Sequence, residues 1–160
     1  MRRWTAITLL FALLLAACGG SDKRPTDPPD NGNNPPAVII EVETPPSWTV
    51  DVGTFESNMT AVLSLEIDGK VSFGPEDRLA AFVDGQLRGL VAPLQVEGSE
   101  RSLFFMTIHS NQTSGEEISF SLYDDAQGRI YQLGQRLAFV VDSHHGSIDA
   151  PLGFSAAGAP

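Results

Sequence analysis

One cysteine in 160 residues, Cys18, excludes an internal disulfide. Whatever core this chain builds is therefore held by burial. Positive charge is scarce: ten Lys and Arg against twenty Asp and Glu give a net charge of −10. That balance argues against nucleic acid as a partner and against adsorption to anionic lipid. Aromatics suited to stacking are few, two Trp and two Tyr beside nine Phe. No segment holds an apolar stripe at helical spacing beyond two turns, which argues against a helical architecture.

What is present begins with Arg2 and Arg3, followed by an apolar run from Thr5 to Leu15. The run is shorter than the ~20 residues of a spanning helix, so it reads as a signal peptide, residues 1–17, rather than an anchor. Leu15-Ala16-Ala17-Cys18 resembles the lipobox of bacterial lipoproteins, with charged start, apolar run and box in the right order. The resemblance implies cleavage before Cys18, lipidation of its sulfur and acylation of the new amino terminus. Several acyl chains anchor stably where one is marginal. In that family an Asp after the cysteine marks retention at the inner membrane; Gly19 stands there, which favours the outer membrane. An ordinary secretory signal with an incidental Cys18 is the alternative. Processing leaves 143 residues and takes the net charge from −10 to −12, since Arg2 and Arg3 depart.

Residues 19–36 carry no large apolar side chain and contain Pro25, Pro28, Pro29, Pro35 and Pro36. With the lipidated cysteine they read as a disordered tether, 18–36, that cannot offset its ordering entropy by burial. At ~3 Å per residue its reach is on the order of 50 Å.

The remaining chain from 37 to 154 is long enough for one domain with a core and too short for two. Residues 155–160 read as a flexible tail. Asp77 to Val91 is the stretch that organises the domain: an apolar run, Asp84-Gly85 accepting the positive φ angles of a type I′ turn, then a second apolar run. The expected register pairs Val83 with Gln86, Phe82 with Leu87, Ala81 with Arg88 and Ala80 with Gly89. Its first strand is apolar on both faces, and small Ala80, Ala81 and Gly89 leave room for another layer. Strands are also expected at 37–43, 59–67 (Met59, Ala61, Leu63, Leu65 and Ile67 on one face), 103–109, 118–122, 129–133 and 137–141. Asp68-Gly69 predicts a further hairpin returning through Val71 and Phe73. The two apolar faces of 103–109 point to a strand covered on both sides. About eight short strands at roughly ten-residue intervals predict an all-β fold, an antiparallel β-sandwich of Ig-like or jelly-roll connection.

The run Asp77-x-Leu79-Ala80-Ala81-Phe82-Val83-Asp84-Gly85-x-x-Arg88-Gly89, with Ser110-Asn111, Gly115-Glu116, Phe120-x-Leu122-Tyr123-Asp124, Gly128-x-Ile130-Tyr131, Phe139 and Gly146-Ser147, resembles a repeated module. That module recurs in large secreted, surface-associated bacterial proteins, many ending in a sorting domain for a dedicated secretion system. The likeness spans nearly all of 48–154. It implies an extracellular β-sandwich building block and transfers no catalytic residue. This chain departs from the pattern in carrying one copy on a lipid anchor.

Candidate chemistry is sparse. Asp142-Ser143-His144-His145 has the residue types of a hydrolase only as chain neighbours, which an extended strand points apart. Glu116-Glu117 and Asp124-Asp125 read as solvated turn ends rather than a glycosidase pair. His144, His145, Asp142 and Asp149 are candidate transition-metal ligands without a recognised spacing. Asp124 and Asp125 with Gln127, or Asp68 and Asp77 at loop ends, are candidate ligands of a structural Ca2+, against the simpler reading of turn residues bonded to their own backbone. No other cofactor is expected. Trp48, Tyr123 and Tyr131 are the aromatic surfaces available for stacking a sugar ring, Tyr123 facing outward; Trp48 and Tyr131 read equally as core or edge cover. Arg88, expected on the hairpin's outer face with Gln86, is either an anion contact or the partner of Asp77 or Glu76. The expected function is a non-enzymatic surface binding or adhesion module of the cell envelope, monomeric, tethered through Cys18 and meeting a surface protein or glycan. A carbohydrate-binding module is the alternative, and a secreted hydrolase the third reading.

Overall fold

In the computed structural model, residues 37–156 are described. The signal peptide, Cys18, the tether and 157–160 lie outside the described residues. Ten strands run in chain order: β1 Val38–Glu41, β2 Ser57–Ile67, β3 Arg78–Val83, β4 Gln86–Val91, β5 Leu94–Gln95, β6 Ser102–Ser110, β7 Ser114–Asp124, β8 Arg129–Val140, β9 His144–His145 and β10 Leu152–Ala156. They form two sheets. One has the order β1-β8-β7-β3-β4, the other β10-β2-β6-β5 with β9 also beside β2. The fold is a β-sandwich, as the turn spacing predicts.

The organising hairpin forms as expected at its tip. Asp84 and Gly85 have φ of 49° and 79°, and Val83 pairs with Gln86 and Phe82 with Leu87. Beyond that the register shifts: Ala81 pairs with Gly89 and Ala80 with Leu90, so Arg88 is an extra residue in β4. The expected pairing of Ala81 with Arg88 is corrected by this bulge, which re-aims one side chain and bends the strand. Gly89 then lies against β6. A Cβ there would sit 2.7 Å from the Thr107 carbonyl oxygen and 3.3 Å from the Met106 side chain. The two backbones come together where Gly89 has no side chain.

The core lies between the sheets. Met59, Leu63 and Leu65 of β2, with Phe104, Met106 and Ile108 of β6, face Leu79, Ala81, Ile118, Phe120 and Leu122 of the other sheet. Phe120 meets Phe154 edge-on at 5.0 Å. Each such large side chain contributes about 1.5–3 kcal/mol by leaving water.

Several expectations change. Residues 129–133 and 137–141 are not two strands but the single β8, kept continuous by an irregular register against β7 between Ser119 and Ser121. Asp68-Gly69 makes its tight turn, with Ile67 and Lys70 exchanging backbone hydrogen bonds, but no returning strand follows. The chain instead hands the Val71 carbonyl to the Ser102 amide, at 3.0 Å, and leaves. The sandwich is not wholly antiparallel, because β9 and β10 run parallel to β2. Strand β10 carries ladder pairing to Ala156, two residues past the expected end of the domain at 154. Phe105, expected under a second layer, pairs with Val62 on the outer side of its sheet and stays 38% exposed.

The outer side of β3 is covered by a strap. After β1 the chain crosses that face through Pro45, Pro46 and Trp48, and the Trp48 ring meets Phe82 edge-on at 5.7 Å. Ala80 beneath is fully buried. Gly89→Ala places a methyl into the Thr107 carbonyl and is expected to lower unfolding free energy by about 1–3 kcal/mol. Urea denaturation of the purified variant checks this; an unchanged midpoint contradicts the close approach.

Candidate functional site

The strap leaves a shallow cleft on the outer face of the β3–β7 sheet. It has a volume of about 170 Å³ and is lined by Pro45, Pro46, Trp48, Glu76, Arg78, Leu90, Tyr123 and Asp125. Each side chain arrives for a local reason. Arg78 and Tyr123 are paired neighbours on β3 and β7, so their side chains stand on one face. Asp125 follows the end of β7, and Glu76 precedes β3 after the break at Gly74-Pro75. Trp48 comes from the strap.

The polar groups are fixed. The Arg78 guanidinium donates to the carbonyls of Pro75 at 2.6 Å and Asp77 at 2.7 Å, and lies 3.7 Å from Glu76. The Tyr123 hydroxyl donates to Asp125 Oδ1 at 3.0 Å. Burial, and then the hydrogen bond and negative charge of Asp125, push the Tyr123 phenol above its usual range. It stays a neutral donor. Tyr123 faces away from the core as expected, though the strap leaves only 4% of it exposed.

Of the residues singled out as contacts, the structure brings Trp48 and Tyr123 together and leaves the others elsewhere. Tyr131 is core, 2% exposed, its hydroxyl 3.2 Å from Gln127 Oε1. Arg88 is not on the hairpin's outer face, nor does it pair with Asp77 or Glu76. The bulge turns it inward, where Nη2 donates to Glu116 Oε1 at 3.0 Å and Nη1 to the His109 carbonyl at 3.4 Å. Its guanidinium lies 5.0 Å from the Phe55 ring centroid, and Phe55 stacks on His109 at 6.0 Å. Glu116 also accepts from the Ser110 hydroxyl. Gly115, at φ 94°, sits where β7 shifts register against β8 and aims Glu116 inward. The expectation of solvated turn ends therefore holds for only one carboxylate of each adjacent pair. Glu117 is exposed and Glu116 is enclosed; Asp125 is exposed and Asp124 is 1% exposed.

The acidic candidates separate in the same way. Asp77 and Asp124 converge, joined by Lys70, whose Nζ lies 2.6 Å from Asp124 Oδ2 and 4.0 Å from Asp77 Oδ2. Asp68 belongs to the turn after β2, at φ 51°, and Asp125 to the cleft. An ammonium occupies the position that a cation would take between the two buried carboxylates. Among the described residues no group of three or more His, Cys, Asp or Glu side chains is placed to hold a metal. His144 bonds Thr60 Oγ1 through Nδ1 at 2.6 Å, while His145 Nε2 is 3.2 Å from Ser143 Oγ. That Ser–His contact differs from the expected divergence, since the turn after β8 brings the Ser143 hydroxyl back toward the His145 ring. The Ser143 hydroxyl, however, donates to the Val140 carbonyl at 2.7 Å, in the turn that ends β8.

Lys70 and Arg78 were not marked by the sequence, and Glu76 only as an expected partner of Arg88, because nothing local distinguishes them; pairing between distant strands gives each its place. The chain matches no protein-family model, no curated protein and no solved structure.

Burial lowers the His109 imidazole below its ordinary 6.5. A depressed folded-state pKa disfavours the charged ring in the native state, so His109's contribution is intact above pH 6.5 and falls as pH drops through the lower folded value. Between pH 7 and about pH 5 the urea midpoint of the wild type is expected to decline more than that of His109→Asn. Parallel declines in the two proteins contradict it.

Proposed function

We propose that this chain is a non-enzymatic binding module of the cell envelope, lipid-anchored through Cys18 and favouring the outer membrane. The observation that supports this reading best is the convergence of Trp48, Arg78, Tyr123, Glu76 and Asp125 in one preformed cleft. An aromatic wall, a fixed donor and two acceptors in a shallow opening are the makings of a recognition seat. They offer no nucleophile paired with a base, which is what acyl or glycosyl transfer requires. The anchoring half rests on the resemblance of Leu15-Ala16-Ala17-Cys18 to a lipobox. The likeness to modules of secreted surface proteins agrees with it.

Within this reading the ligand is either a surface protein or an envelope glycan. The second is favoured by the half-buried Trp48 ring in the cleft, since a sugar ring stacks its C–H face on an aromatic surface and presents hydroxyls to carboxylates and guanidinium. A cleft of about 170 Å³ has room for a single sugar residue rather than a long chain.

Cleavage before Cys18 removes Trp4 and leaves Trp48 as the one tryptophan, so its emission reports on the cleft alone. Titration of the processed protein with fragments selected from a glycan array is expected to shift that emission. Tyr123→Ala is expected to weaken binding tenfold or more, about 1.4 kcal/mol. A silent array, with photocrosslinking from position 48 in intact cells giving one protein adduct, assigns the cleft to a protein partner instead. Silence in both experiments contradicts the proposed seat.

A further inference from the structure

Lys70, Asp77 and Asp124 meet at the end of the sandwich away from the Arg88–Glu116 pair. Lys70 leaves the turn after β2, Asp77 precedes β3 and Asp124 closes β7. The carboxylates are enclosed, their side chains 2% exposed for Asp124 and 3% for Asp77. Both are held still. Asp77 accepts from the Asp125 amide at 2.8 Å and the Gly74 amide at 2.7 Å, while Asp124 Oδ1 accepts from the Gln127 amide at 3.2 Å. Lys70 Nζ lies 5.1 Å from the centroid of Phe73, which packs on Phe104 at 5.6 Å.

We propose that Lys70 and Asp124 condense to an intramolecular isopeptide bond, with Asp77 relaying the proton. Nζ, 2.6 Å from Asp124 Oδ2, is already against the carboxyl group it would attack. Asp77, with Oδ2 4.0 Å from the same nitrogen, takes one proton from the ammonium once the side chains close to hydrogen-bond distance, and frees the amine lone pair. Nitrogen adds to Asp124 Cγ, a C–N bond forms and a C–O bond breaks. The departing oxygen leaves as water, carrying the proton returned by Asp77 and a second one from nitrogen. An ammonium and a carboxylate become a neutral amide and water, so no oxidant, cofactor or net proton exchange is required.

Two features favour the step. Reacting groups held in a fixed geometry reach effective molarities of about 10⁵–10⁸ M, above that of the water opposing amide formation. The carboxylates are also withdrawn from water, although the Lys70 side chain stays 35% exposed, and their desolvation carries a cost that a neutral amide does not. The product ties the turn that follows β2 in one sheet to the end of β7 in the other, in a chain with one cysteine and no internal disulfide.

The purified protein is denatured, digested with trypsin and mapped by mass spectrometry. Lys70 is one of only two lysines, the other being Lys23, so its segment is unambiguous. The expected result is a branched peptide joining the Lys70 and Asp124 segments, lighter than their sum by one water, with Lys70 unreactive to amine methylation. Lys70→Arg, which keeps the charge pair, and Asp124→Ala are expected to abolish it. Asp77→Asn is expected to slow its appearance tenfold or more. Wild-type peptides at their sequence masses, with Lys70 methylated, overturn the proposal. So does loss of water without a branched peptide, the signature of a succinimide at Asp68-Gly69 or Asp84-Gly85. The wild-type peptide map is decisive by itself, whether or not each variant folds.

Discussion

The contact of β4 with β6 at Gly89 is the constraint on which the rest of this sandwich depends. A backbone can approach another strand's carbonyl so closely only where no Cβ intervenes, and a Cβ here would come within 2.7 Å of Thr107. The approach is reached by inserting Arg88 as an extra residue, which bends β4 toward the other sheet. The same insertion sends a guanidinium into the interior. That charge is tolerable because a second register shift, beside Gly115 in β7, delivers Glu116 to meet it, with side chains 10% and 17% exposed. Two irregularities in strands that are not neighbours are thus coupled through one ion pair.

Charged clusters of this kind stand at both ends of β2 and β7. Near their starts, Arg88 and Glu116 bind Ser110 and the His109 carbonyl. At their finishes, Lys70 joins Asp124 and Asp77. Between them the interior is aliphatic and phenylalanine, non-directional and tolerant of sliding. Buried ion pairs contribute little net stability compared with apolar replacements, but removing one partner costs about 3–5 kcal/mol. In a two-layer fold without disulfides they fix how one sheet sits on the other. The cleft inherits that order, since Arg78 and Tyr123 stand on strands whose opposite faces make the core.

Much of this was legible in the residues. Asp84-Gly85 and Asp68-Gly69 announce their turns because positive φ is a local demand, and Met59 to Ile67 announces its buried face because alternation is local too. Trp48 and Tyr123 were recognisable as contact candidates from residue type. The direction of Arg88 was not, because one bulge in the β3–β4 pairing reverses which face a residue occupies. The continuity of β8 through Leu133 to Gln135 was hidden for the same reason, its irregular register being set against β7. Nor could a parallel β10 be read, since strand direction is a long-range property. Lys70 carried no signal at all; only the fold sets it beside carboxylates seven and 54 positions away. In the part most specific to the module resemblance, Ala81-Phe82-Val83-Asp84-Gly85-x-x-Arg88-Gly89, each named residue acquires a packing, turn or ion-pair role.

A double-mutant cycle on Arg88→Met and Glu116→Gln, read by urea unfolding, tests the coupled-bulge account most directly. The account predicts that the double variant recovers much of the loss caused by either single change, a coupling above about 1 kcal/mol. Single effects that add to within about 0.5 kcal/mol would mean that the two residues do not meet inside the sandwich, and would contradict it.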